Sequence, residues 1–231
     1  MWIVSDNLPD ADAGVIESRA QLLRLAADGE LAGRTMRRFV AGSVGLRGAD
    51  LDGVTIEQLD FREADFDEAR LETAVLRQVD LRKSRWHGAL WNRVQASDCD
   101  LTEIDLTAAQ LLRCDIGPLR MGRALLRRAR LQSCKFTQAE LYGADFAKAV
   151  LTRVSFEGYH GATVSLSRTD WSGAALVDVD FQQANLYGAS FRGALLARCN
   201  LSGTNLSAAD LRGAQLVGCR TDGADLDDVI L

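Results

Sequence analysis

The sequence predicts an all-β solenoid, a chain wound into a coil of very short strands, and three observations predict it. From Leu46, every fifth residue through Leu231 gives 38 positions, all Leu, Ile, Met, Phe or Trp except Ala96, Gly161 and Thr221. Two residues ahead of each runs a second series, Val44 to Val229, made of Ala, Val, Cys, Ser or Thr apart from Leu59, Ile104, Leu119 and Tyr159. Within residues 44–231, twelve of the chain's 20 glycines share one phase of the same period. A period of five fits neither the 3.6 of a helix nor the plain alternation of a long strand.

Within each pentad the small residue, its successor and the bulky residue read in, out, in, as a very short strand does. The two remaining residues must turn the chain, and glycine gathers at the second of them (Gly48, Gly53, Gly88, Gly143 and eight others), where a positive φ suits it. Repeated turning in one sense makes a coil. Coils stacked at roughly 4.8 Å pair their backbone groups with the coils on either side.

The motifs Ala49-Asp50-Leu51, Ala64-Asp65-Phe66, Ala144-Asp145-Phe146, Ala184-Asn185-Leu186 and Ala209-Asp210-Leu211 resemble the A(D/N)LXX signature of pentapeptide-repeat proteins, over about four fifths of the chain. The resemblance implies a right-handed, four-sided β-helix with four pentads per coil, so that residues 20 apart stack on one face. Residues 44–231 would then form roughly nine coils, a rod about 45 Å long at ~4.8 Å per coil.

Residues 1–43 are expected to form a helical or irregular N-terminal cap. Over residues 15–27, Val15, Ile16, Leu22, Leu23 and Ala26 share one side of a helix, and Asp28-Gly29 should stop it. Met36, Phe39 and Val40 would start an irregular first coil. At the other end the pentads run to the final residue, so the terminal coil should expose unpaired edges and apolar side chains. A homodimer joined through Leu226, Val229, Ile230 and Leu231 is the expected relief, as in some relatives of the family.

Charge excludes little, since 27 basic residues face 32 acidic ones for a net −5. The acidic start of the chain is unlike a secretory leader and no apolar run is long enough to cross a bilayer, so no membrane association and a cytoplasmic location are expected. The five cysteines lack metal-ligand spacing and all fall in the small inward series, with Cys114 over Cys134 and Cys199 over Cys219. They read as buried thiols. The only histidines, His87 and His160, are too far apart to share a metal or a triad, and no phosphate loop interrupts the glycine period. An enzyme, a metal site and a cofactor are therefore not expected. The Asp residues at the outward signature position read as local backbone acceptors.

What remains is surface pattern. Glu63, Lys83, Glu103 and Arg123 form a ladder of alternating sign, which stabilises a solvent face. Asp60, Asp80 and Asp100 form an all-acidic ladder and Arg128, Lys148 and Arg168 an all-basic one, each a candidate interaction stripe. Residues 120–135 hold six cations and no acid, a basic belt around mid-rod. Three places break the pattern: Trp86 and Trp91 before Ala96 beside the outward Leu90, Gly117-Pro118 as a kink, and Tyr159-His160-Gly161, where large and small slots exchange. The leading function is a non-catalytic protein-interaction scaffold with an unidentified protein partner. The alternative follows from the resemblance: some family members mimic duplex DNA and bind DNA gyrase, a type II topoisomerase, modulating it or protecting it from inhibitors. Interleaved arginines and an unbroken register without room for projecting loops count against that alternative. Direct nucleic-acid binding is disfavoured by the acidic balance and by the lack of outward aromatic platforms at the belt.

Overall fold

The in, out, in pattern of the pentad becomes strands of two or three residues, such as Thr55–Glu57 and Val75–Arg77, in which only the middle side chain is fully buried. The computed structural model describes residues 14–158 and 163–231, and together these wind into a β-solenoid of about 10 turns with one short helix. Four pentads make one coil, and the outward residues Asp100, Asp105, Gln110 and Asp115 mark its four faces, numbered I to IV in that order. Parallel pairing joins residues 20 apart on every face, as in Asp80↔Asp100, Arg85↔Asp105, Leu90↔Gln110 and Val75↔Gln95. Faces III and IV each carry an eight-stranded parallel sheet, III from Arg70–Glu72 to Gln215–Val217 and IV from Val15–Ile16 to Ser155–Glu157.

The turn residue adopts the left-handed conformation with glycine and with many other side chains, though not at Pro118, whose ring fixes φ. Gly48 and Gly88 do so (φ 67 at both), and so do Glu63, Lys83 and Glu103 (φ 58, 58 and 60). An L-residue there costs on the order of 1 kcal/mol, and each is held by a bond to the next coil, Lys83 N–H donating to Thr102 O at 3.1 Å. Glycine is a convenience at these corners. It is a necessity at Gly117 (φ +136), where an added Cβ would lie 1.8 Å from the Thr137 carbonyl oxygen. Pairing runs through Gly117-Pro118 without a kink, since Ile116 still pairs Ala96 and Leu119 still pairs Cys99.

The coil register changes once. Val150 pairs Ala175, Ser155 pairs Asp180 and Glu140 pairs Ser165, all 25 apart, and Ser165↔Asn185 restores the interval of 20. One coil therefore carries a fifth pentad between Ser155 and Ser165, where the other described coils of the repeat have four. A whole added period leaves each fifth-residue series intact while moving every later residue back by one face. The expected exchange at Tyr159-His160-Gly161 lies outside the described residues.

At the N-terminal end, coil stacking starts ahead of Val44: Val15–Ile16 already pairs Thr35–Arg37, which pairs Thr55–Glu57. The helix α1 spans Arg19–Ala27 rather than starting at Val15. Ser18 is its N-cap, with Oγ accepting from Gln21 N–H at 3.2 Å, and the Gln21 side chain accepts from Glu17 N–H, much as in a capping box. Gly29 (φ 71) ends it, with Glu30 N–H reaching back to Leu25 O at 2.8 Å. Leu22 and Leu25 enter the core, whereas Leu23 remains 43% exposed.

The interior is a stack of side-chain columns. On face II, Phe66 stacks on Trp86 at 4.1 Å and Phe146 on Trp171 at 4.1 Å; on face IV, Phe156 stacks on Phe136 and Phe181 at 5.1 and 5.2 Å. Such pairs contribute about 1 kcal/mol beyond their burial. Trp86 and Trp91 fit without a bulge, at 5.1 Å and 80°, and Ala96 keeps its place in the ladder between Leu76 and Ile116. Trp86 Nε1 donates to Ser84 Oγ at 2.9 Å and Ser84 Oγ to Leu81 O at 2.7 Å. Thr169 does the same for Trp171. Trp91 Nε1 is buried with no partner.

Candidate functional site

The outward Asp or Asn of the signature is a structural acceptor first. Its Oδ1 takes the N–H of the residue two positions on, closing an Asx turn: Arg62 N–H on Asp60 at 3.0 Å, Arg82 N–H on Asp80 at 3.1 Å, Thr102 N–H on Asp100 at 3.1 Å, and Tyr187 N–H on Asn185 at 3.1 Å. Where the signature position is Arg85, which cannot accept, His87 N–H takes Asp67 Oδ1 from the neighbouring coil at 2.9 Å.

The structure brings Asp60, Asp80 and Asp100 into one ladder on face I, as expected, and also neutralises it. Arg62 lies 2.7 Å from Asp60 and 3.7 Å from Asp80. Arg82 lies 2.6 Å from Asp80 and 3.8 Å from Asp100, and Arg120 lies 3.0 Å from Asp100. The hydrogen bond from Arg62 holds the Asp60 carboxyl below the usual carboxylate range. Three carboxylates interleaved with three guanidinium groups present a zipper, not an acidic stripe.

The basic ladder is corrected by the added pentad. Arg128 stacks under Lys148, whose N–H donates to Ser172 O, so Lys148 sits under Gly173. Arg168 is displaced to the neighbouring corner, in the column of Arg123, Gly143 and Gly188, and its Nη1 donates to Tyr142 Oη at 3.2 Å. The belt over residues 120–135 is divided in the same way: Arg120, Arg123, Arg127 and Lys135 pair with Asp100, Glu103, Asp145 and Glu157, leaving Arg128 and Arg130 without carboxylate partners among the described residues. The alternating ladder forms more loosely, with Lys83–Glu103 at 4.0 Å and Arg123–Glu103 at 3.7 Å.

Two apolar surfaces are open. At the C-terminal coil Leu216, Leu226, Ile230 and Leu231 are 40, 52, 46 and 89% exposed, and Val229 is half-buried. Face III is the second only in part: Leu90, Val150, Ala175 and Leu195 share its outward column with Arg70, Gln110, Arg130 and Gln215, and Leu112, Val177 and Val217 stand beside that column. Sequence reasoning passed over all but Leu90, although the signal was present as aliphatic residues standing where the signature places Asp or Asn.

Cys99, Cys114, Cys134 and Cys199 are buried free thiols and Cys219 is half-buried. The stacked Cys114 and Cys134 donate to Trp91 O and Leu111 O at 3.5 and 3.2 Å. Burial pushes Cys99 up to about 11 and Cys199 up to about 12. His87 is exposed, His160 lies outside the described residues, and among the described residues no group of three or more His, Cys, Asp or Glu is placed to hold a metal. No helix of the described residues is long and apolar enough to cross a membrane.

The family model for pentapeptide repeats matches in 8 copies over residues 46–82, 121–158, 164–193, 184–220 and 194–231, more than half of the chain. Among solved structures, HetL, a pentapeptide repeat protein involved in heterocyst differentiation regulation in the cyanobacterium Nostoc sp. strain PCC 7120, is 23% identical. That match covers 89% of this chain and 93% of HetL with a TM-score of 0.55, a likeness of fold. Rfr23 from the cyanobacterium Cyanothece 51142 matches at 24% identity over 51% of this chain and 91% of its own, TM-score 0.46. QnrB1, a plasmid-mediated fluoroquinolone resistance protein, matches at 20% identity over 80% and 92%, TM-score 0.42. A search of curated proteins by sequence finds no match. With the repeat, the four-faced coil and the Asx turns that explain its signature in place, the chain belongs to the pentapeptide-repeat proteins.

Proposed function

We propose that this protein is a non-catalytic protein-interaction scaffold acting in the cytoplasm. The observation that carries the reading is the distribution of exposed aliphatic side chains. A rod that packs its interior this fully still leaves Val150, Leu195 and Val217 on face III and Leu226, Ile230 and Leu231 at its end 42, 39, 57, 52, 46 and 89% exposed. Contiguous exposed apolar surface marks contact sites. The free thiols accord with a reducing compartment. The C-terminal coil is read as a homodimer contact, and α1, with Leu22 and Leu25 in the core, as the cover of the opposite end.

The gyrase-directed alternative is the weaker reading. DNA mimicry needs carboxylates left free to stand in for phosphates, and Asp60, Asp80 and Asp100 are each engaged by arginine. Capture from native cell extract on the immobilised protein tests the scaffold reading; a stoichiometric protein partner is expected, and none retained after crosslinking would sink it. A supercoiling assay with and without a fluoroquinolone separates the alternative. Inhibition or protection that is lost when Asp60, Asp80 and Asp100 become Asn would establish gyrase as the partner. Sedimentation equilibrium tests the dimer, and a monomer well above micromolar concentration would remove it.

A further inference from the structure

The core takes up nearly every aromatic side chain of the rod. Among the described Phe, Tyr and Trp residues only Tyr142 and Tyr187 are exposed, at 43 and 44%, and they stand in one column on face I. Gly143 N–H donates to Ser167 O at 3.0 Å and Arg168 N–H to Tyr187 O at 2.8 Å, so Tyr142, Ser167 and Tyr187 hold the same position in three successive coils. The added pentad sets this column, because it falls between Tyr142 and Ser167 and moves every later residue by one face. Ser167 carries only a hydroxymethyl group, which leaves a gap one coil wide between the two rings.

Polar groups line both sides of the column. On the corner side Arg168 Nη1 donates to Tyr142 Oη at 3.2 Å, and Arg168 has no carboxylate within ion-pair distance among the described residues. Gly143 and Gly188, which follow the two tyrosines (φ 65 and 63), put no side chain at that corner. On the other side, two residues ahead of Tyr142, the exposed Glu140 has no cationic partner among the described residues. Tyrosine and arginine set among serine, glycine and asparagine make a composition suited to binding, and here it includes one unpaired charge of each sign.

We propose that Tyr142, Ser167, Arg168 and Tyr187 dock a proline-rich segment of a partner protein in the polyproline II conformation, lying along the rod axis with a basic residue on Glu140. The pitch selects the ligand. At ~4.8 Å per coil the two tyrosines are about 9.6 Å apart. A polyproline II chain turns once in three residues of about 3.1 Å each, so residues three apart share one edge at about 9.3 Å. Residues on one face of an extended strand recur at about 6.6 Å, and two turns of an α-helix cover about 10.8 Å, so neither meets both rings as closely. Prolines three apart then lie against Tyr142 and Tyr187, and the residues between them cross the gap over Ser167. A polyproline II backbone makes no internal hydrogen bonds, so its carbonyls are free to accept from the Arg168 guanidinium and the Ser167 hydroxyl. The cation on Glu140 is a contact that a neutral glycan or a phosphate backbone does not supply.

The inference rests on the scaffold reading, and its test separates the two. A fluorescent peptide of about 10 residues, with prolines three apart and an arginine at each end, is titrated with the full-length protein and followed by anisotropy. Binding at about 10–100 µM is expected, weakening as salt rises. Tyr142→Ala and Tyr187→Ala should each weaken it about tenfold, and Glu140→Gln by about threefold. Ser167→Leu keeps both rings but fills the gap, and should weaken it about tenfold as well. Arg24→Glu on α1 should change nothing. Equal binding of a peptide of the same composition with its prolines two and four apart overturns the proposal, as does no binding at about 1 mM peptide or full binding to the protein lacking both tyrosine rings. Tighter binding of a neutral oligosaccharide or of duplex DNA, lost in the same variants, would also overturn it by assigning the rings to another ligand. Capture of one native partner by wild-type protein and by Tyr142→Ala with Tyr187→Ala alike removes only the tyrosine site, whereas capture of none by either removes the scaffold.

Discussion

Replacing Asp67 with Ala should destabilise the rod by about 2–3 kcal/mol at neutral pH, out of proportion to a side chain on an outer face. Asp67 is 7% exposed at its side chain and joins three coils: Oδ1 accepts from His87 N–H at 2.9 Å, Oδ2 lies 2.5 Å from Arg85, and Arg47 approaches to 3.7 Å. Hydrogen bonds to a charged group contribute about 1.5–3 kcal/mol each, and an orphaned buried N–H costs about 1–3 kcal/mol, while removing the carboxylate recovers part of its desolvation. Asp67→Asn keeps an acceptor for His87 and should cost about half as much. Burial pushes the Asp67 carboxyl up, but Arg85, the His87 amide and Arg47 together outweigh it, and its pKa falls below the usual value. A carboxyl whose folded pKa is depressed contributes stability that is fully present above its unfolded pKa, about 3.9, and is lost as pH falls through the folded value. The gap between wild type and Asp67→Ala should therefore hold at pH 7 and narrow below about pH 4. Urea unfolding at both pH values measures it, with hydrogen exchange at the His87 amide as the local probe because a repeat array need not unfold in one step. A difference within about 0.5 kcal/mol at pH 7, or one that does not narrow in acid, refutes the three-coil account.

Other perturbations follow from the same geometry. Ser84→Ala strands the Trp86 indole N–H and should cost about 1–2 kcal/mol; equal midpoints for Ser84→Ala and wild type would discount the Ser84–Trp86 bond. Gly117→Ala forces a Cβ onto the Thr137 carbonyl oxygen and should lower stability by about 3 kcal/mol or more; thermal unfolding near the wild-type midpoint would show that the two coils can separate there. Ellman's reagent should modify Cys219 first, ahead of the four buried thiols, and more slowly as concentration rises if the C-terminal coils associate. Mass spectrometry locating the first adduct at Cys114 or Cys134 would contradict the buried column.

Nearly all of the coil was legible because one physical constraint repeats in every pentad. A side chain at Leu101 or Leu106 has one way to be buried, and the residue before it, Asp100 or Asp105, must supply the acceptor that the turn lacks. Composition at each phase therefore reports geometry directly. The N-terminal end was less legible because its residues serve two structures at once. Val15 and Ile16 fit a helical apolar pattern, yet their backbone pairs with Thr35 and Met36, and Ser18 with Gln21 marked the true start of α1. The exposure of Leu23 in place of Leu25 follows from that later start.

The added pentad was invisible for a reason internal to the period. An insertion of one, two or three residues would have broken both apolar series, but an insertion of five returns each residue to its own phase and alters only which face it occupies. Any surface inference that counts in twenties is then right before Ser155, right after Ser165, and wrong across them, which is how Lys148 and Arg168 came to share a predicted ladder. Stacking preferences carry the missing information: Phe146 meets Trp171 and Phe156 meets Phe181 only at an interval of 25, whereas an interval of 20 would set Phe146 over Leu166 and Trp171 over Leu151. In a rod whose phase is fixed by burial, the columns of the core determine which charges meet on the surface. The unpaired cations of face III gather where they do because those columns hold Arg128 and Lys148 beside Val150 rather than beneath Arg168.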